Sequence, residues 1–192
     1  MIKTATIILN RNLPKITDDL FKKIKKYNNK YTDLFIVDAG SQKKLISKNT
    51  TWIANWKDAK KNGLRFARGI NYALDQMLKE KKFYKYEYFL FLTNDYEVQK
   101  KPFVKKLNTI LKKNPKIAIL SPCSKKWGEK FFLQKNKLKF FWYIHCNALM
   151  IRREFIENIL NKKKPAYINL LFDGNNFRGY GLESELIAKA YM

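Results

Sequence analysis

Asp95 ends the run Tyr88-Phe89-Leu90-Phe91-Leu92-Thr93-Asn94 and is followed by Tyr96-Glu97. Large apolar and aromatic residues that stop abruptly at Asn-Asp are the pattern of a buried strand handing a carboxylate to its C-terminal edge, where open α/β sheets keep their ligands. Asn and Asp also end ordinary strands, because both favour turns. Two further strand-like runs stop in the same way. Residues 4–9, short and β-branched, lead into Asn10-Arg11-Asn12, and residues 33–37 lead into Asp38-Ala39-Gly40-Ser41. A lone Asp-x-Gly-Ser suits a helix cap as well as a ligand. With the three strands in one sheet, Asn10, Asp38 and Asp95 face a common crevice.

Other candidates surround this trio. Asn62-Gly63 precedes a long amphipathic pattern over residues 64–82, and Arg65 and Arg68 fall near its start, where they oppose the helix dipole. An anion at that end would explain the cost, since amide groups and Arg side chains grip phosphate together; two surface arginines on a basic protein are the plain alternative. Late in the chain, Glu183 and Glu185 open a final helical pattern after the turn-rich loop Asp173-Gly174-Asn175-Asn176-Phe177-Arg178-Gly179-Tyr180-Gly181. The only histidine, His145, lies in an aromatic stretch over residues 140–151, beside Trp142 and Tyr143. It suits a metal ligand or a packed, hydrogen-bonded core histidine, and its aromatic neighbours suit sugar stacking or core packing.

The elements that must position these groups alternate. Residues 4–9 predict a first strand, and Thr17-Asp18-Asp19 signals a helix carrying Leu20, Phe21, Ile24 and Tyr27 on one side. Residues 33–37 and 51–55 predict two more strands, and the 64–82 helix leads to the central strand ending at Asp95. Pro102 opens a helix to Leu111, and residues 117–120 predict another buried strand. Strand and helix in alternation specify an α/β fold with a mainly parallel, doubly wound sheet flanked by helices. Residues 140–151 predict a strand or strand pair, followed by a helix from Phe155 to Leu160. No repeat or Pro/Ser-rich linker divides the chain, so 1–192 reads as one domain. It stops inside the last helical pattern, which suggests a longer natural protein cut at this point.

The chain is 192 residues long, with 40 Lys and Arg against 16 Asp and Glu, a formal charge of +24. Apolar residues at 46% favour folding despite that charge. The excess attracts polyanions, whether nucleic acid, anionic lipid or phosphorylated ligands. Only six basic residues are Arg, and the lysines are scattered, which fits solvated lysine faces better than a base-reading groove. Cys123 and Cys146 are too few for a disulfide framework or a four-ligand zinc site, so a reducing, cytoplasmic setting is expected. No apolar run reaches the length of a membrane span, leaving peripheral contact with an anionic membrane as the form of attachment expected.

Neither Gly-x-Gly-x-x-Gly nor Gly-Lys-Ser/Thr occurs, which argues against Rossmann dehydrogenases and P-loop enzymes and disfavours a nucleotidyltransferase. The sequence resembles the family 2 glycosyltransferases of GT-A fold. The likeness lies in Ile7-Ile8-Leu9-Asn10-Arg11, Ile36-Val37-Asp38-Ala39-Gly40-Ser41, Asn62-Gly63 through Ala67-Arg68, Phe91-Leu92-Thr93-Asn94-Asp95 at the family's Asp-x-Asp position, and Gly181-Leu182-Glu183.

The resemblance implies an inverting, hexosyltransferase-type enzyme that moves a sugar from a nucleoside diphosphate, a UDP-sugar foremost, to a hydroxyl of a glycan, protein or lipid acceptor. It implies nucleotide binding by Leu9, Asn10, Arg11, Asp38, Arg68, Asn94 and Asp95, with Asp38 on the base. Mn²⁺ or Mg²⁺ would sit on Asp95, helped by Glu97 or His145, and Glu183 would act as the base with Glu185 behind it. Two positions depart from the family pattern: Thr93 replaces the first Asp of Asp-x-Asp, which weakens the expected metal site, and Ser184 replaces the second late carboxylate. A basic nucleic-acid-binding module is the competing class, and the absence of helix-turn-helix, zinc or RNP-type patterns disfavours it.

Overall fold

A computed structural model of the chain describes residues 4–122, 131, 137–141, 144–161, 165–176 and 181–191. Among the described residues six strands form one sheet: β1 (Thr4–Asn10), β2 (Thr32–Asp38), β3 (Trp52–Ile53), β4 (Tyr88–Thr93), β5 (Ile119–Leu120) and β6 (Ala148–Arg152), in the order β3-β2-β1-β4-β6-β5. β1 pairs in parallel with both β2 and β4, and β2 with β3. β6 is antiparallel to β4, and β5 is antiparallel to β6.

Strand residues alternate between the two faces. On one face Ile7, Phe35, Phe89 and Phe91 meet Ile70, Leu74 and Met77 of α3 (Arg65–Lys79), Ile156 of α5 (Arg153–Ile159) and Leu186 of α6 (Leu182–Tyr191). On the other, Ile8, Ile36, Leu90 and Leu92 meet Leu20 and Ile24 of α1 (Pro14–Asn28) and Val104, Leu107 and Leu111 of α4 (Phe103–Lys113). The short α2 (Lys57–Asn62) covers the end of β3 through Ala59.

The mixed α/β sheet with helices on both faces agrees with the sequence reading, and three local expectations are corrected. α1 begins at Pro14, whose fixed φ suits the first helical turn, and not at Thr17, which becomes an interior residue facing β1. Residues 117–120 do not form another buried parallel strand: β5 is a two-residue, half-buried edge strand paired only with β6. Among the described residues of the 140–151 stretch the strand begins only at Ala148, as β6, and its antiparallel direction brings its start to the C-terminal end of β4. Among the described residues no helix is long and apolar enough to cross a membrane.

Candidate active site

Asn10 and Asp38 are register partners at the ends of β1 and β2, and Leu9 is paired with Thr93 at the end of β4. Asn10 is buried, and its amide donates to Asp38 Oδ2 at 2.8 Å, with longer bonds to Ser41 Oγ and the Leu45 carbonyl. Its Oδ1 accepts from Thr17 Oγ1 at 2.9 Å, and Thr17 in turn accepts from Asn94 Nδ2 at 3.3 Å. A polar chain therefore runs Asp38, Asn10, Thr17, Asn94 across the ends of three strands. Asn12, in the left-handed region at φ 57°, donates from its backbone to Ser41 Oγ and accepts from the Gln42 amide. These bonds lock the turn after β1 to the turn after β2.

Asp38 is also wholly buried. Its second oxygen accepts from the backbone of Gly40 (3.2 Å) and Ser41 (2.8 Å), so both oxygens face the protein and shape the turn. Gly40 sits at φ +92°, and a Cβ there would lie 1.9 Å from the Ala59 carbonyl, which fixes where α2 lands. Arg11 is held close by: its Nη1 donates to the Asn62 carbonyl, and its guanidinium lies against Gly63 so closely that a Cβ would be 2.0 Å from Nη1.

Asp95 stands at the tip of a turn. The Tyr96 amide donates to the Thr93 carbonyl at 3.2 Å, leaving Asn94 and Asp95 as the central residues. Tyr96 anchors the far side of the turn against Phe103, ring centroids 6.3 Å apart, and burial pushes its hydroxyl pKa up to about 12. Asp95 and Glu97 are exposed, and neither makes a hydrogen bond or ion pair with the described residues.

The late carboxylates divide. The Thr93 amide donates to the Asn147 carbonyl at 3.2 Å, which sets Cys146 next to the end of β4. The Cys146 thiol donates to Glu183; burial first, then the negative charge of Glu183 and this bond, push the thiol pKa far up. Glu183 is thereby brought to the edge that carries Asp95. Glu185 instead accepts from the Asp173 amide at 3.1 Å and pairs with Lys189, whose ammonium also donates to the Leu171 carbonyl. It fastens α6 to the loop before it.

That loop is fastened on its other side by Asn71 of α3, a fully buried residue. Its amide donates to the carbonyls of Tyr167, Ile168 and Phe172, and its Oδ1 accepts from the amides of Leu171 and Phe172. Arg68 adds a bond from Nε to the Gly174 carbonyl at 2.7 Å, with Nη1 3.8 Å from Asp58. Arg68 is thus a clamp on the loop as well as a residue of the α3 start.

Among the described residues no three His, Cys, Asp or Glu side chains gather closely enough to hold a metal ion. The set Asp95, Glu97 and His145 is therefore not assembled by the protein alone; His145 is half-buried and has contacts of its own. A single exposed carboxylate at a turn tip is a donor set suited to a hard divalent cation that takes most of its oxygens from a diphosphate and water. Cys123, Trp142, Tyr143 and Arg178 lie outside the described residues. Thr17, Asn71 and Cys146 were not singled out as site residues by the sequence. For Asn71 a signal exists: a polar residue in the apolar stripe of α3, between Ile70 and Leu74.

No protein-family model matches the chain, and a search of curated proteins finds no relative. Solved structures do match. TarS residues 1–349 from S. aureus align over 99% of this chain and 55% of that one, with a TM-score of 0.66 and 13% identity. A structure of S. aureus TarS aligns over 99% of this chain and 33% of its own length, with a TM-score of 0.63 and 14% identity. The mannosyltransferase PcManGT from Pyrobaculum calidifontis, solved with GDP-Man and Mn²⁺, aligns over 81% and 46%, with a TM-score of 0.57 and 12% identity. The fold is that of these structures. The chain spans about half or less of the length of each.

Proposed function

We propose that the chain is a glycosyltransferase domain that moves a sugar from a nucleoside diphosphate to an acceptor hydroxyl. The observation that carries this is the gathering of unspent polar groups on one edge of the sheet. Of the five buried side-chain polar atoms without a partner among the described residues, Arg11 Nε, Trp56 Nε1 and Thr93 Oγ1 belong to the segments that follow or end β1, β3 and β4. The unpaired carboxylate of Asp95 and the late carboxylate of Glu183 belong to the same edge. Buried donors in native proteins normally have partners, and exceptions mark sites that meet a ligand. The fold shared with PcManGT, solved with GDP-Man and Mn²⁺, supports a nucleotide sugar as that ligand.

Asp95 is the residue proposed to hold Mn²⁺ or Mg²⁺, with Glu97 two positions on. The cation, when bound, neutralises the diphosphate leaving group. Arg11 offers an unpaired N–H to the same anion. Glu183 is proposed to take the proton of the acceptor hydroxyl, as an inverting displacement requires of a carboxylate on the opposite side of the sugar. Asp38, Asn10 and Thr17 hold the strand ends in register, and Asn94 joins them to the Asp95 turn.

Thermal unfolding with a panel of nucleotide sugars and nucleoside diphosphates, each with and without Mn²⁺, tests the proposal. One donor is expected to raise Tm in a metal-dependent way, and Asp95→Ala to remove the metal-dependent part. No shift with any member of the panel would overturn it.

A further inference from the structure

The start of β2 has a neighbour on one side only. In a parallel ladder alternate residues turn their N–H and C=O groups to opposite sides. On the inner side the Tyr31 carbonyl accepts from the Thr4 amide, and the Ala39 amide donates to the Asn10 carbonyl. On the outer side the Ile36 carbonyl accepts from the Thr51 amide, the Ile36 amide donates to Thr51 Oγ1, and the Asp38 carbonyl accepts from the Ala54 amide. β3 pairs only with Val37 and Asp38. Leu34 therefore turns its N–H and C=O outward before that cover begins, and among the described residues neither meets a partner on that side.

An open groove runs along the same stretch. Its volume is about 340 Å³, with residues 32–35 along its length, Phe21, Lys25 and Asn29 on the α1 side and Tyr86 opposite. Phe21 packs with the core layer under α1 and Tyr86 with the layer under α3, so both faces of the sheet flank the groove. Tyr86 is fixed by donation to Asp33 Oδ2 at 2.9 Å and by edge-on packing against Phe35, ring centroids 6.0 Å apart. A strand added at the usual spacing of about 4.8 Å would lie in this groove, exchange bonds with Leu34 and alternate its side chains between the Phe21 and Tyr86 faces.

Charge selects the occupant. Lys25 stands on the groove wall, and the Lys82 ammonium lies 5.9 Å from the Phe35 ring and 6.0 Å from the Trp52 ring. Asp33 is taken by Tyr86, and Glu80 by Lys82 and the Trp52 indole. A second copy would bring +24 against +24, which opposes edge-to-edge pairing and favours a segment rich in carboxylates. Nucleic acid offers the charge but no row of alternating N–H and C=O groups to meet a strand edge.

We propose that the open edge of β2 is a peptide-docking site, which takes an extended segment of a partner protein, carboxylates alternating with aliphatic residues, as an added strand. The site lies at the end of β2 remote from Asp38 and needs neither donor nor metal, so it stands apart from the proposed transfer reaction.

Fluorescence anisotropy and amide hydrogen exchange on the whole chain test it, with three labelled hexapeptides as probes: alternating Glu and Val, alternating Lys and Val, and the Glu-Val peptide methylated on every backbone nitrogen. The Glu-Val peptide is expected to bind at least fivefold more tightly than either of the others, the methylated one having the same charge and no donors. At saturation the Leu34 amide is expected to exchange at least tenfold more slowly than in the free protein, with little change at Asp33 and Phe35, whose amides already face β1. Lys25→Glu should weaken the Glu-Val peptide at least fivefold at unchanged Tm, and the exchange measurement on the parent stands whether or not that variant folds. A Leu34 amide already protected in the free protein, no Glu-Val binding, or binding that leaves Leu34 exchange unchanged overturns the proposal. So does equal binding of the lysine or methylated peptide, or parent affinity in Lys25→Glu, since each reduces the contact to general attraction. A dimer in sedimentation equilibrium that protects Leu34 overturns it as well, by making a second copy the occupant.

Discussion

Asn10 Nδ2 and Asp38 Oδ2 lie 2.8 Å apart between register partners on adjacent parallel strands, both side chains wholly buried. The bond couples two turns whose remaining polar groups would otherwise be unpaired. Asp38→Ala removes the acceptor of the Gly40 and Ser41 amides and of the Asn10 side chain together. Leaving buried donors unmet costs about 3 kcal/mol here, with Asn10 retaining its weaker contacts to Ser41 and Leu45. For a chain of this size that is a fall in Tm of about 6–12 °C, read by calorimetry. A variant that unfolds at the parent temperature yet loses nucleotide affinity would assign Asp38 to the ligand instead.

Asn71 makes a comparable prediction for the opposite layer. Five bonds from one side chain hold the backbone of residues 167–172, and Arg68 and Glu185 hold the next two residues. Asn71→Ala is expected to lower stability by about 3 kcal/mol and to raise the rate of proteolysis in residues 165–176 well above that elsewhere. Asn71→Asp should fail as a substitute, because the three carbonyls need a donor that a carboxylate lacks. Limited proteolysis followed by mass spectrometry locates the cut.

The two residues differ in how visible they are from sequence. Asn10, Asp38 and Asp95 each end an apolar run, and an apolar run that stops at a polar residue is a local pattern. Parallel pairing then fixes which ends meet. Asn71 has its partners about a hundred positions away, so its sequence surroundings report only an ordinary helix with one polar residue on the wrong side. The direction of β6 was equally hidden: a five-residue apolar strand reads the same both ways, and only pairing with β4 brings Cys146 and Glu183 to the Asp95 edge. Thr17 was misread for a third reason. Its Thr-Asp-Asp context is a strong start signal, yet Pro14 starts the helix one turn earlier and leaves the hydroxyl to bond Asn10.

Two carboxylates give the fold an acid limit. Burial raises the pKa of Asp18, but hydrogen bonds from Ser47 and Asn49 and the charge of Lys48 outweigh it and leave the pKa lowered. Glu80 is lowered by hydrogen bonds from Lys82 and from the Trp52 indole, against a smaller effect of burial. A folded-state pKa below the unfolded one stabilises the fold at pH above the unfolded value, and that stability is lost as pH falls through the folded value. Tm is therefore expected to be flat from neutrality down to about pH 5 and to fall below about pH 4. Asp18→Asn and Glu80→Gln should each lower the neutral plateau and flatten the acid limb, measured by thermal unfolding across a pH series at fixed ionic strength.

Glu183 and Glu185 are two positions apart on one helix, and the structure gives them different neighbours. Glu183 accepts from Cys146 beside the end of β4, whereas Glu185 is occupied by the Asp173 amide and Lys189. Glu183→Gln keeps the size and loses the basicity, so sugar transfer is expected to drop about 10²–10⁴-fold while donor binding, read as a thermal shift, stays within about twofold. Glu185→Gln weakens a loop anchor without touching the acceptor proton, so it should lower Tm and reduce transfer by less than about tenfold. Cys146→Ala separates positioning from chemistry: it frees Glu183 of a hydrogen bond but leaves the carboxylate in place, so transfer is expected to fall by less than for Glu183→Gln. Equal losses for Gln at 183 and 185 would mean that both act through the loop, and the base would have to be sought elsewhere on the Asp95 edge.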